Sequence, residues 1–250
     1  MRRVQATLYS IPPSHPCHAA RLMLEHKRID HKVVEVIPGT HAVAVRALGF
    51  QRGTVPALRL DGRKIQGTTE ISRVLDQVRP QPRLFPADPQ RRAAVEEAER
   101  WGDEVLQNAP RLITRWLAIY RPQMRVHMAT EAGVPAPTLV GHANAPVARY
   151  FGRKVGADDS ERVRALVADL PEMLDHVDGL IADGVIGGEQ PNAADFQIGS
   201  TVRALLTFED LAPAIRGRPA ADLAMRLMPE FPTSVPAGFI PAEWLPPLHG

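Results

Sequence analysis

Hydrophobic and polar positions divide the chain into two parts with different periods. Residues 4–9 (Val-Gln-Ala-Thr-Leu-Tyr) form a short β-leaning run and predict a first strand. Over 16–28 the apolar Ala19, Ala20, Leu22, Met23 and Leu24 precede Glu25, His26, Lys27 and Arg28, the pattern of a helix with an apolar face and a charged end. Residues 31–37 are rich in β-branched side chains and predict a second strand, which Pro38-Gly39 breaks. A short irregular helix is expected within 41–50. Over 53–65 two short strands flank Asp61-Gly62, the strongest short hairpin signal. Pro56 at the head of the first of these cannot donate to a ladder and is a candidate cis-proline. Ile71, Val74, Leu75 and Val78 then recur at helical spacing over 68–79. This order within about 80 residues is a small α/β layer fold of thioredoxin-like shape.

Beyond residue 80 the strand patterns stop. Residues 80–89 are proline-rich and read as a linker, closing on Asp88-Pro89 as N-cap and first helical residue. One helical stretch is expected over 89–120, with Ala94, Val95, Ala98, Trp101, Val105 and Leu106 on or near one face. Residues 121–157 are broken by Pro122, Pro135, Pro137 and Pro146 and assign no element. Residues 160–182 are strongly periodic, and Pro171 should kink or split that helix. Asn192 and Asp195 have capping-box spacing ahead of a helix to about residue 208. Residues 213–228 are expected to be helical in part, and the proline-rich 229–250 tail to lie on the surface or over a cleft. The organisation expected is an α/β domain over 1–79, a linker over 80–89 and an all-helical domain over 90–250.

Composition changes this picture little. At 44% hydrophobic and 23% charged residues, the chain is an ordinary globular one. Basic and acidic residues number 30 and 28 and are mixed along the chain, which argues against a nucleic-acid partner. A single cysteine excludes an internal disulfide. No apolar segment follows Arg2 and Arg3, and no run approaches the ~18 residues of a membrane span. A cytoplasmic protein without a membrane partner is expected.

The chemistry gathers where strand one meets helix one, in Ser14-His15-Pro16-Cys17-His18-Ala19. A hydroxyl and a thiol stand at the opening of a helix, whose free N–H groups and dipole favour an anion. His15 and His18 lie three apart, but no further ligand completes a metal set, and none is expected. Ser14-x-x-Cys17 also has the spacing of a redox Cys-x-x-Cys motif with its first thiol replaced, so Cys17 is either a redox thiol or a small buried hydrophobe. Tyr9 reads as packing near the strand end. Ser14 itself reads either as a thiolate donor or as a helix cap.

The α/β domain, the linker and the helical domain together resemble the soluble glutathione S-transferase family. Four motifs carry the resemblance. Ser14 to Ala19 is similar to the Ser-x-Pro-Cys-Arg start of helix one in serine-type members, the theta and delta classes especially. Thr54-Val55-Pro56-Ala57-Leu58 is similar to the family's Val-Pro-x-Leu, whose proline is cis. Leu84-Phe85-Pro86 with Asp88-Pro89 resembles the linker, and Asn192-Ala193-Ala194-Asp195 resembles the helix-nucleating capping box.

The resemblance implies a glutathione transferase in which Ser14 donates to the bound thiolate. It implies that the backbone of Val55, beside Pro56, pairs with the cysteinyl unit. Thr68 keeps a hydroxyl for the γ-glutamyl carboxylate, whereas Gly67 replaces the acidic or amide residue that would meet the ammonium. His41 resembles a histidine near the glycyl carboxylate. Gly53 stands where a second histidine is usual, with Arg52 next to it. Asn108, Arg111, Leu112 and Arg115 would wall a cleft for an apolar electrophile. Glutathione is then a co-substrate, no further cofactor is implied, and a homodimer is expected. Two rival readings stay open: a non-catalytic binding module on the same fold, favoured by Gly53 and Gly67, and a thiol–disulfide reductase working through Cys17.

Overall fold

The computed structural model describes residues 5–246. Its first part is a four-stranded sheet in the order β2-β1-β3-β4. β1 (Ala6–Ser10) pairs parallel with β2 (His31–Glu35) across the crossover helix α1 (His15–His26). β1 also pairs antiparallel with β3 (Ala57–Leu60), which turns into β4 (Arg63–Gln66). The turn residues Asp61 and Gly62 have φ of 48° and 85°, so both occupy the left-handed region that tight hairpins demand. α2 (His41–Ala47) lies between β2 and β3, and α3 (Thr68–Val78) follows the hairpin. The Val55–Pro56 peptide is cis, and so is Gln81–Pro82.

Among the described residues everything after α3 is helical or irregular apart from one isolated bridge, Phe208 to Val235. The thioredoxin-like α/β layer is thus followed by an all-α part. α4 (Pro89–Trp101) opens on Asp88, whose carboxylate accepts from the Arg91 N–H at 2.8 Å. The stretch 89–120 is helical as expected, with a π-helical turn, Gly102–Leu106, between α4 and α5 (Asn108–Tyr120). Two side-chain facts account for the turn. Gly102 meets the core helix so closely that a Cβ there would stand 2.9 Å from Ile198 Cγ1. Pro110 falls in the first turn of α5, where no helical N–H is needed.

The stretch 121–157 holds three helices, α6 (Pro122–Glu131), α7 (Pro137–Ala143) and α8 (Ala145–Arg153). Their prolines sit at the first or second helical position, so they start helices where the sequence pattern reads breaks. Pro171 behaves alike: the expected 160–182 helix is split into α9 (Ser160–Ala168) and α10 (Leu170–Ala182). α11 (Ala193–Leu205) is the central helix, buried along almost its whole length. Its capping box forms: Asn192 Oδ1 accepts from the Asp195 N–H at 3.2 Å, and Asp195 Oδ2 from the Asn192 N–H at 2.8 Å. It ends three residues earlier than expected, and α12 (Ala212–Ile215) and α13 (Pro219–Leu227) follow.

α1, α4 and α13 pack on α11, so one continuous core joins the sheet side to the helical side. Polar ties reinforce the junction. Glu99 of α4 is fully buried and accepts from Ser72 Oγ at 2.6 Å and from the Arg73 guanidinium, both on α3. The tail runs back over the helices: Phe231 meets His18 at 4.9 Å between ring centroids, and Trp244 meets Trp116 at 4.5 Å. Among the described residues no helix is long and apolar enough to cross a membrane.

Candidate active site

The loop after β1 returns to α1 through Ile11, whose carbonyl accepts from the Ser14 N–H at 2.9 Å. Ser14 is the N-cap residue, with extended backbone, and its carbonyl accepts from the Cys17 N–H at 2.9 Å. Its hydroxyl caps nothing. The half-buried Oγ is instead held beside the Cys17 thiol.

Cys17 is 1% exposed. Burial pushes its pKa up, and hydrogen bonds from Ser14, the Ile11 backbone and Ser10 offset this only in part. A buried thiol with a raised pKa is a poor nucleophile. Cys17 is expected to resist alkylation in the native protein and to react only as the chain unfolds. Stopped-flow labelling with a thiol reagent, with and without denaturant, checks this. Stoichiometric labelling of the native protein within seconds would restore Cys17 as a redox candidate.

Tyr9 is buried and meets Phe50 edge-on at 5.6 Å, a packing role. Val55, ahead of the cis bond to Pro56, is half-buried. Among the described residues neither its N–H nor its C=O has a hydrogen-bond partner. Thr68 begins α3 and is buried, with its hydroxyl 3.5 Å from Asp103 Oδ1.

The glycines at 53 and 67 have structural reasons. A Cβ at Gly53 would stand 2.8 Å from the Cβ of Ala42, so a histidine there would force α2 away. Gly67 has φ +91°, which side-chain-bearing residues rarely adopt. Its empty side is faced by Arg52, whose guanidinium bonds the Gln66 carbonyl and lies 3.8 Å from Glu70. A second carboxylate, Asp103, adjoins Thr68, and sequence reasoning missed it. It lies on the π-helical turn, accepts from Gln107 Nε2 at 3.0 Å, and faces Thr68 from 35 positions further along the chain. Nothing local marks it among the other acidic residues of α4 and the turn.

His41 opens α2, half-buried, its ring 6.4 Å from that of Phe151 on α8. Burial and the Arg115 charge lower its pKa, and its buried Nδ1 has no partner among the described residues. Of the four cleft residues, Leu112 faces the core at 3% exposure. Asn108 turns back to the Glu104 carbonyl at 2.6 Å. Arg111 and Arg115 remain half-buried, with pKa values lowered by burial. His15, next to Ser14, is nine-tenths buried; burial first and then the Arg111 charge hold its pKa down at about 3, so its ring is neutral.

A hydroxyl at a helix start, an unpaired backbone at a cis-proline and a second helix start with a hydroxyl thus adjoin the same end of three neighbouring strands. Residues 8–83 match the family model described as "Glutathione S-transferase, N-terminal domain". The chain has the glutathione S-transferase fold. Similar solved structures cover most of it. A glutathione S-transferase from Sinorhizobium meliloti 1021 is 19% identical with TM-score 0.57, over 89% of this chain and 86% of that one. Beta-etherase LigF from Sphingobium sp. strain SYK-6 is 25% identical with TM-score 0.52, over 80% and 84%. Rice GST1 (OsGSTU1), solved in complex with glutathione, is 14% identical with TM-score 0.56, over 91% and 84%. No curated protein matches the sequence. On this glutathione S-transferase fold the two helix starts and the cis-proline lie at one end of the sheet, at the carboxyl ends of β1 and β4 and the amino end of the antiparallel β3, where Tyr9, Ala57 and Gln66 are in register.

Proposed function

We propose that the protein is a glutathione transferase that ionises the thiol of glutathione at Ser14 and presents the thiolate to a small electrophile. The observation that carries this reading is the state of the Ser14 hydroxyl, which stands at the α1 start and is not used for capping. A donor that bonds only the charged form lowers a thiol pKa, and such a bond is worth roughly 1.5–3 kcal/mol. The unpaired Val55 backbone takes the cysteinyl unit as an added strand. Thr68 and the α3 start take the γ-glutamyl carboxylate, Asp103 takes the ammonium, and His41 lies toward the glycyl end. In the reaction the sulfur forms a bond to an electrophilic carbon. The leaving group departs with its electron pair, and the thiol proton passes to solvent. The nucleophile belongs to the ligand, so no covalent enzyme intermediate and no further cofactor is needed.

A relative with this fold bears the name beta-etherase, so the fold alone does not choose the electrophile. The electrophile proposed has an apolar body. A homodimer acting in the cytoplasm completes the proposal. Calorimetric titration of glutathione, paired with conjugation rates on a chloronitroarene, tests it. Binding with turnover supports the reading. Binding without turnover would favour a ligand-carrying module, and no binding at millimolar glutathione would refute the thiol assignment.

A further inference from the structure

Arg111 and Arg115 lie one turn apart on α5 and are both half-buried. Three other sequestered arginines in this protein are satisfied. Arg73 pairs with Glu99, and Arg218 with Asp175 and Asp178. Arg125 donates to the carbonyls of Gly141, Ala118 and Ile119. Arg111 has no hydrogen bond and no ion pair among the described residues, and Arg115 has only a 3.4 Å bond to the Phe151 carbonyl. A charge removed from water without a partner is costly.

The same region holds two further unsatisfied donors or acceptors. His15 is 7% exposed and its Nε2 has no partner among the described residues; His41 Nδ1 is in the same state. The charge of Arg111 acts on His15, and that of Arg115 on His41, so the pairs adjoin. Among the described residues the only opposite charge acting on either guanidinium is Asp103, on Arg111, and it is already engaged by Gln107 and Thr68. The α1 start adds its positive dipole end on the same side. Two open guanidiniums one helical turn apart are a fork for a planar anion.

We propose that Arg111 and Arg115 form an anion seat beside the thiol, and that the electrophile this protein accepts carries a carboxylate. This rests on the thiol-activating reading of Ser14. The apolar body of the electrophile then lies toward the tail, and its carboxylate replaces the acid partner that these arginines lack.

The test compares 4-chloro-3-nitrobenzoate with its methyl ester. Each kcat/KM is divided by the uncatalysed rate constant of the same electrophile with glutathione, which removes the difference in ring activation. The wild type is expected to prefer the carboxylate by about tenfold or more. Arg111→Met and Arg115→Met should each erode the preference, the double variant should abolish it, and Arg111→Lys should keep part of it. Equal normalised rates in the wild type, or a preference surviving in the double variant, would overturn the seat. The glycyl carboxylate of glutathione is the other source of the same chemistry. Glutathione affinity is therefore measured in parallel and should change less than threefold in the double variant. A loss of glutathione affinity as large as the loss of preference would assign the arginines to the tripeptide and sink the electrophile proposal. Binding of 4-nitrobenzoate against 4-nitrobenzamide, without any thiol, separates the two readings. Carboxylate-selective binding that needs the arginines supports the seat even if no conjugation occurs. Conjugation without carboxylate-selective binding would leave Ser14 in place and refute the seat.

Discussion

Ser14→Ala is expected to lower the kcat/KM for glutathione conjugation by roughly 10- to 100-fold, with little change in glutathione affinity. The size follows from the bond it removes. A hydrogen bond to a charged group is worth about 1.5–3 kcal/mol, and about 1.4 kcal/mol is a factor of ten. The bond exists only to the thiolate, so its loss raises the thiol pKa and leaves the neutral complex nearly untouched. The pH–rate profile of the variant should accordingly move up by about one to two units. The α1 start remains, which is why activity should fall and not vanish. The substitution should not unfold the helix, because the Ser14 carbonyl and not its hydroxyl makes the capping bonds. Full activity with an unshifted pH profile in Ser14→Ala would remove Ser14 from the mechanism.

Lys27→Met is expected to destabilise the protein by about 3–5 kcal/mol, the usual result of removing one partner of a buried ion pair. Lys27 follows α1, is fully buried, and its Nζ donates to Asp76 at 2.5 Å, the Arg79 carbonyl at 2.8 Å and the Pro82 carbonyl at 2.6 Å. Asp76 also accepts from the Leu84 N–H at 2.8 Å. One ammonium thus ties α1, α3 and the proline-rich connection into the helical part. Without it a carboxylate and two carbonyls lose their donor. Urea unfolding of Lys27→Met, Asp76→Leu and the double variant measures this. The double variant should be well below the sum of the singles, because each single strands the other partner. A Lys27→Met protein within 1 kcal/mol of wild type would show that water reaches this site freely.

Where proline stood in the chain decided how well it could be read. Pro16 and Pro89 each follow a capping-type residue, Ser14 nearby and Asp88 directly, and both were legible as helix starts. Pro122 and Pro137 follow Arg121 and Ala136, which give no capping signal, so the same residue reads as a break, whereas Pro146 has Asn144 at the spacing that Ser14 has to Pro16 and its start was legible in principle. The three helices of this stretch pack on one another and on α5, and contacts between elements are not written in a short window.

The local chemistry was set by the sequence alone: the hydroxyl at the α1 start, the cis-proline strand head, the Asp61-Gly62 hairpin and the Asn192–Asp195 box each depend on neighbours within a few positions. The tertiary structure alone decided the rest. It turned the Ser14 hydroxyl away from capping and buried Cys17 in the core. It brought Asp103 across 35 positions to Thr68, and filled the side of Gly67 with Arg52. Above all, among the described residues, it left Arg111 and Arg115 without an ion pair while giving Arg73, Arg125 and Arg218 partners. A charge's partner is chosen by distance in space, and sequence spacing reports that distance only within a helical turn or a hairpin.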